Sequence, residues 1–176
     1  MLVTLRESWA LIHGVLLGGG FMLAFAGGLI GIYGLQAQLL TPEGIRDRVR
    51  QLNLGTIGMA VIAWITVISG TFIVYPWYRA KAPEGAELAL YPKAYLLANG
   101  VMGWWHTFGM EWKEHIAWIS PILATAVAYI VWKYGSNLAK NDTLRKIVLA
   151  LFTLAFLTAA VAGLFGAMIT KAAPIR

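Results

Sequence analysis

The chain has 176 residues, of which 59% are hydrophobic and 12% charged, and its mean hydropathy is +0.68. Soluble domains average about 25% charged residues, so this composition excludes an ordinary water-soluble domain and indicates a protein in lipid. The formal net charge is +6, but the basic residues are scattered between apolar runs, which favours a membrane surface and excludes a nucleic-acid-binding arm. The chain has no cysteine, which excludes disulfides, iron–sulfur clusters and covalently attached c-type haem.

Four apolar runs predict four membrane-spanning helices. They cover about residues 8–35, 54–76, 115–134 and 147–170, and each reaches the roughly 20 residues that a hydrocarbon core requires. A closed helix also satisfies its own backbone polar groups, as lipid demands. The predicted fold is therefore all-α, a single integral membrane domain over residues 1–176 that forms a four-helix bundle.

The connections between these runs differ in character. In the first, Thr41 and Pro42 form a helix start, with a hydroxyl cap followed by proline, and predict a short surface helix. The second, about residues 77–114, is rich in tryptophan, tyrosine, proline and glycine, and predicts a segment in the headgroup zone. The third, about residues 135–146, is short and polar. Lysine and arginine are densest in the two short connections, so we expect both chain termini outside.

The histidines carry the strongest functional signal. His13 lies about five residues into the first predicted span, and His115 opens the third, which enters from the same side. Two imidazoles at one depth on two helices are the arrangement that axial ligation of a haem needs. We therefore expect His13 and His115 to ligate the iron of one haem b, with His106 as the substitute for His115. The alternative is a structural pair, each imidazole bonded to a neighbouring carbonyl.

Small residues continue the face of the first span that carries His13. They recur at helical spacing, which would let a porphyrin approach, but such stripes more often pack one helix against another. The members are Gly20, Ala24, Gly27 and Gly31.

Residues 106–115 form a second polar cluster. His106, Glu111, Glu114 and His115 predict, as one alternative, a metal site that would make the protein a metal-dependent membrane enzyme, or a proton-handling site at a quinone pocket. The competing interpretation is a helix start at the membrane surface, where both glutamates are favourably placed near the helix N-terminus.

Basic side chains on the histidine side could neutralise haem propionates. The candidates are Arg79, Lys93 and Lys113. No acidic residue lies in the middle of a span, which argues against an ion pump or a proton-coupled transporter.

Residues 75–79 (YPWYR) and 105–115 (WHTFGMEWKEH) carry a resemblance. With these segments the whole chain resembles small bacterial four-span membrane proteins and, in architecture, the four-helix b-type cytochrome subunits that carry electrons between quinones and partner proteins. The resemblance implies a bacterial inner membrane, redox or other membrane subunits as partners, and a quinone as electron donor or acceptor. The second and fourth spans contain no histidine, so two bis-histidine haems are excluded.

The leading hypothesis is therefore a membrane electron-transfer subunit that binds one haem b. A scaffold or anchor subunit without a cofactor is the main alternative. A chlorophyll ligated by a single histidine is a further one.

Overall fold

The computed structural model describes residues 4–174, and this part of the chain contains helices and no strand. Four helices are long and apolar enough to cross a bilayer, which confirms the predicted number of spans. They are α1 (Leu5–Tyr33), α2 (Pro42–Tyr78), α4 (Trp105–Lys140) and α5 (Asp142–Ala172). A short helix, α3 (Pro92–Ala98), lies between the second and third.

The four long helices form a ring in the order α1, α2, α4, α5. The main packing partners of α1 are α2 and α5, and the same two helices are the main partners of α4. The helices α1 and α4 therefore lie diagonally across the bundle. We call the end that holds the start of α1, the end of α2, the start of α4 and the end of α5 the histidine side.

The predicted surface helix and the second span are one continuous helix. The Thr41 hydroxyl accepts the Gly44 amide at 3.1 Å, so the predicted cap is confirmed. The helix does not stop before residue 54, because residues 45–53 contain no proline or glycine that would break it. The prediction of a separate surface element was wrong, and residues 42–78 form one continuous helix.

The third span begins ten residues earlier than predicted, at Trp105. Its first part is π-helical from Trp105 to Met110 and α-helical from Glu111 to His115, and a turn at residues 116–118 precedes the α-helix that starts at Ile119. The interfacial segment is therefore shorter than predicted, and His106 belongs to a long helix.

Two apolar cores stabilise the bundle. The larger one fills its centre and the end opposite the histidine side, and includes the fully buried Ile32, Val131 and Phe152. The smaller one lies at the histidine side, where Leu96 of α3 is fully buried against Tyr78 and its neighbours. The interfacial segment is thus folded back onto the end of the bundle.

An arginine closes the opposite end. Arg145, only 8% exposed, donates to the carbonyl oxygens of Leu35 at 3.3 Å and Leu138 at 3.2 Å, and forms an ion pair with Asp142. One guanidinium therefore satisfies backbone acceptors at the ends of both α1 and α4, which have no partner within their own helices.

Candidate functional site at the histidine side

Three π-helical segments occur within residues 4–174, and all three lie at the histidine side. They are Ile12–Gly18 in α1, Gly70–Val74 in α2 and Trp105–Met110 in α4. The first contains His13 and the third contains His106. Segments of this kind are rare and are frequently found at functional sites.

His13 lies between α1 and α2. Its Nδ1 is 3.3 Å from the Ser69 hydroxyl oxygen. Its ring lies directly over Gly70, where an added Cβ would approach Cε1 to 2.6 Å. A glycine at this position therefore makes room for the imidazole, and the serine before it fixes the ring orientation. The ring thus packs against α2, and its Nε2 lies 3.2 Å from the position of the added Cβ.

Lys113 reaches into the bundle from α4. Its ammonium donates to the Ala162 carbonyl at 3.1 Å, and it lies over Gly166, where a Cβ would meet Nζ at 2.8 Å. Among the described residues no carboxylate forms an ion pair with it, so two of its three N–H donors have no hydrogen-bonding partner there. An ammonium inside a bundle in lipid without a counter-charge is costly and points to a function.

A second unsatisfied donor lies beside this lysine. Trp112 Nε1 is buried without a hydrogen-bonding partner, and its ring packs against Phe165 of α5 at 6.3 Å between centroids. Trp112 and Lys113 therefore both face α5. Two unsatisfied donors in one place suit a ligand that carries acceptor oxygens.

Two further hydrogen bonds join α2 to α4 at the histidine side. The Tyr75 hydroxyl donates to Glu114 at 2.5 Å, and the Tyr78 hydroxyl lies 2.9 Å from His106 Nδ1. The two tyrosine rings stack with centroids 6.1 Å apart. His106 is 8% exposed, so it is the most buried of the three histidines.

His115 is placed differently from the other two. Its side chain is 69% exposed, and its Nδ1 is 2.9 Å from the Glu111 carbonyl one turn earlier. It is the eleventh residue of α4, and His13 is the ninth of α1, so the two remain at comparable positions along their helices. The structure does not bring the side chains of His13 and His115 together, because His115 faces the outer surface of α4. Lys113, two residues earlier, is the residue that faces the bundle.

The four residues of the alternative metal cluster are dispersed. His106 contacts Tyr78, Glu114 contacts Tyr75, and Glu111 lies 3.7 Å from His115 on the outer surface. Over residues 4–174, no three histidine or acidic side chains are placed to hold one metal ion.

Arg79, a predicted propionate partner, lies over the Tyr75 ring with its guanidinium carbon 5.2 Å from the centroid. It therefore belongs to the outer tyrosine layer of the site, near the membrane surface, whereas Lys113 is the basic group inside the bundle.

Sequence reasoning missed Ser69 and Gly70. A hydroxyl next to a glycine inside an otherwise apolar span was the available signal, but such pairs also occur in ordinary helix packing. Tyr75 and Tyr78 were interpreted as an aromatic belt, and their bonds to Glu114 and His106 depend on how α4 begins.

Two cavities lie away from these residues. One, of 160 Å³, is lined by residues near Gly135, and the other, of 260 Å³, lies between α1 and α2 near Gly27 and Gly55. Neither of these two cavities is lined by His13.

Compared with models of protein families, with curated proteins and with solved structures, the chain matches none of them.

Proposed function

We propose that the protein is a membrane electron-transfer subunit that binds one b-type haem at the histidine side. The observation that carries the proposal is the occurrence of three π-helical segments at the histidine side, one of which contains His13 and another His106. The proposal also depends on the His13 imidazole and on the Trp112 and Lys113 donors at the same end of the bundle.

His13 supplies one axial ligand in this proposal. Histidines that bind a metal usually have their second ring nitrogen held by a hydrogen bond, which fixes the ring and its tautomer. The Ser69 hydroxyl is placed to do this at Nδ1, which leaves Nε2 for iron. Lys113, with two free N–H donors, would neutralise a propionate, and the Trp112 N–H adds a donor to the same face of α5.

For the second axial position we favour His106 over His115. His13 packs on Gly70 and His106 on Tyr78, about 12 Å apart along α2, so haem binding would have to bring the two imidazoles together. His106 is buried and its Nδ1 is held by Tyr78, whereas His115 is exposed on the outer surface. This proposal reverses the order expected from depth alone. Tyr78 would hold the His106 ring, and the hydrogen bond between Tyr75 and Glu114 would join α2 to α4 beside it.

A bound haem supplies one-electron transfer. A quinone would exchange electrons with it from the lipid, and neighbouring redox subunits would be the protein partners. In this proposal the protein resides in a bacterial inner membrane with both termini outside.

The absorption spectrum of the detergent-purified chain tests this proposal. We expect a Soret band that His13→Ala abolishes and that His106→Ala shifts, because each variant removes a ligand. His115→Ala is the matched control and should leave the spectrum unchanged. An unchanged spectrum after His13→Ala would refute the assignment, and a shift with His115→Ala alone would restore that residue as the second ligand.

The scaffold alternative is favoured by one observation. Gly20, Gly27, Gly55 and Gly58 have open space where a Cβ would be, so α1 and α2 present surface that their packing does not use. A purified chain that carries no pigment but copurifies with other membrane subunits would support this alternative.

A further inference from the structure

A groove lies between α1 and α2, at the end of the bundle opposite the histidine side. Its volume is 260 Å³, and its lining runs from Arg48 and Gln51 at one end to Met59 at the other. Its walls include Gly27 of α1 and Gly55 of α2. The function proposed above does not use this groove.

Two of the four glycines that line the groove, Gly27 and Gly55, are not covered by a packed neighbour. An added Cβ at Gly27 or Gly55 would meet no atom within 4 Å, whereas one at Gly28 would collide with Phe152 and one at Gly31 with Leu52. Small residues normally let two helices approach closely. Here Gly28 and Gly31 serve that purpose, and Gly27 and Gly55 leave open space.

The groove follows α2 for about three turns. Arg48 lies near the start of α2, and Met59 is eleven residues further along the same helix, a rise of about 16 Å. The part from Gly55 to Met59 belongs to the apolar run predicted as the second span, whereas Arg48 and Gln51 precede that run. The Thr56 hydroxyl donates to the Leu52 carbonyl at 2.8 Å, so its polarity is satisfied within the helix.

The charge at the mouth of the groove is positive. Arg48 is exposed and forms no ion pair within residues 4–174, whereas Arg46, two residues earlier, is paired with Glu43 at 2.9 Å. The Gln51 side chain adds an amide donor beside it. Basic pockets between membrane helices are suited to anionic lipid headgroups, and a guanidinium binds phosphate oxygens in pairs.

We propose that this groove binds one anionic phospholipid, with an acyl chain along Gly27 and Gly55 and the headgroup phosphate at Arg48. A helix from a second copy is the competing occupant. Arg48 at the mouth favours the lipid, because a headgroup phosphate gives the exposed guanidinium a charged partner.

Native mass spectrometry of the full chain, released from nanodiscs of equimolar phosphatidylglycerol and phosphatidylcholine, tests the proposal. We expect phosphatidylglycerol to be retained about fivefold over phosphatidylcholine, the effect of one arginine at an anionic surface. Arg48→Gln should remove this preference, whereas the control Arg46→Gln should keep it.

The groove itself is tested by filling it. Gly27→Leu combined with Gly55→Leu should abolish retention of either lipid. The matched control is Gly20→Leu combined with Gly58→Leu, since these glycines also have open space but do not line the groove. Circular dichroism of both double variants is the control that checks whether they remain helical.

Equal retention of the two lipids by the unmodified chain would overturn the proposal, as would equal loss in the filled and the control variants. A dimer that Gly27→Leu and Gly55→Leu dissociate, with no lipid retained, would assign the groove to a second copy.

Discussion

Gly27 and Gly28 are adjacent in α1 but have opposite surroundings. A Cβ at Gly28 would lie 2.7 Å from Phe152 Cζ, and that ring is fully buried and packed against Phe25 at 4.9 Å, so it cannot move aside. Gly28→Ala should therefore lower the free energy of unfolding by roughly 1–3 kcal/mol through overpacking. Thermal unfolding in detergent, followed by circular dichroism, measures this.

Gly27→Ala is the control for that substitution. Its Cβ would meet nothing within 4 Å, so the gain in helix propensity, about 1 kcal/mol, should leave stability unchanged or higher. Equal destabilisation by the two substitutions would contradict the packing described for α1.

Arg145 and Lys146 both form an ion pair with Asp142, but only Arg145 is buried. Arg145→Met should cost about 2–4 kcal/mol, because the carbonyls of Leu35 and Leu138 lose a charged donor. Lys146→Met should cost less than about 1 kcal/mol, as expected for an exposed pair. Denaturant unfolding of the two variants compares them, and similar losses would refute the structural role of Arg145.

The stability of a Lys113 variant distinguishes a functional role of this lysine from a structural one. If its ammonium awaits a ligand, Lys113→Met should stabilise the cofactor-free protein by about 1 kcal/mol, because an under-satisfied charge is replaced by an apolar chain of similar length. If the lysine is structural, the substitution should destabilise the protein. Thermal melting of the cofactor-free variant and the cofactor-free unmodified chain decides between these outcomes.

At the scale of elements, the π-helical segments link the backbone to the histidines. Gly70 begins one of them and lies beneath the His13 ring. Gly70→Ala should displace the imidazole from Ser69 and reduce haem content at least twofold, while Gly58→Ala, in open space on the same helix, should not. The haem content per chain is measured for both variants. Equal haem contents in the two variants would show that Gly70 does not contribute to the haem site.

The helices show which parts of the fold the sequence predicts. Hydropathy predicted the four spans, and the hydroxyl of Thr41 before Pro42 predicted the helix cap, because both are local properties. The full extents of α2 and α4 were missed, since polar residues such as those at 45–53 were expected outside the span although nothing in them stops a helix. The partners of His13 and Lys113, and the backbone carbonyls that Arg145 binds, come from other parts of the chain, so no local pattern identified them.

At the scale of the whole molecule, the two ends of the bundle differ in their chemistry. The end near Arg145 is closed by a buried guanidinium and holds the larger apolar core. The histidine side holds the under-satisfied donors and the π-helical segments, with α3 folded over it. This asymmetry favours one working site at the histidine side, as expected from the histidine positions, and assigns stability to the opposite end.

The most direct test of the account is the haem content of the detergent-purified full chain, expressed with sufficient haem and measured as the pyridine haemochrome. We expect one b-type haem per chain in the unmodified protein and none in His13→Ala, with both proteins equally helical. A fully folded, unmodified chain that carries no haem and takes up none when titrated would contradict it.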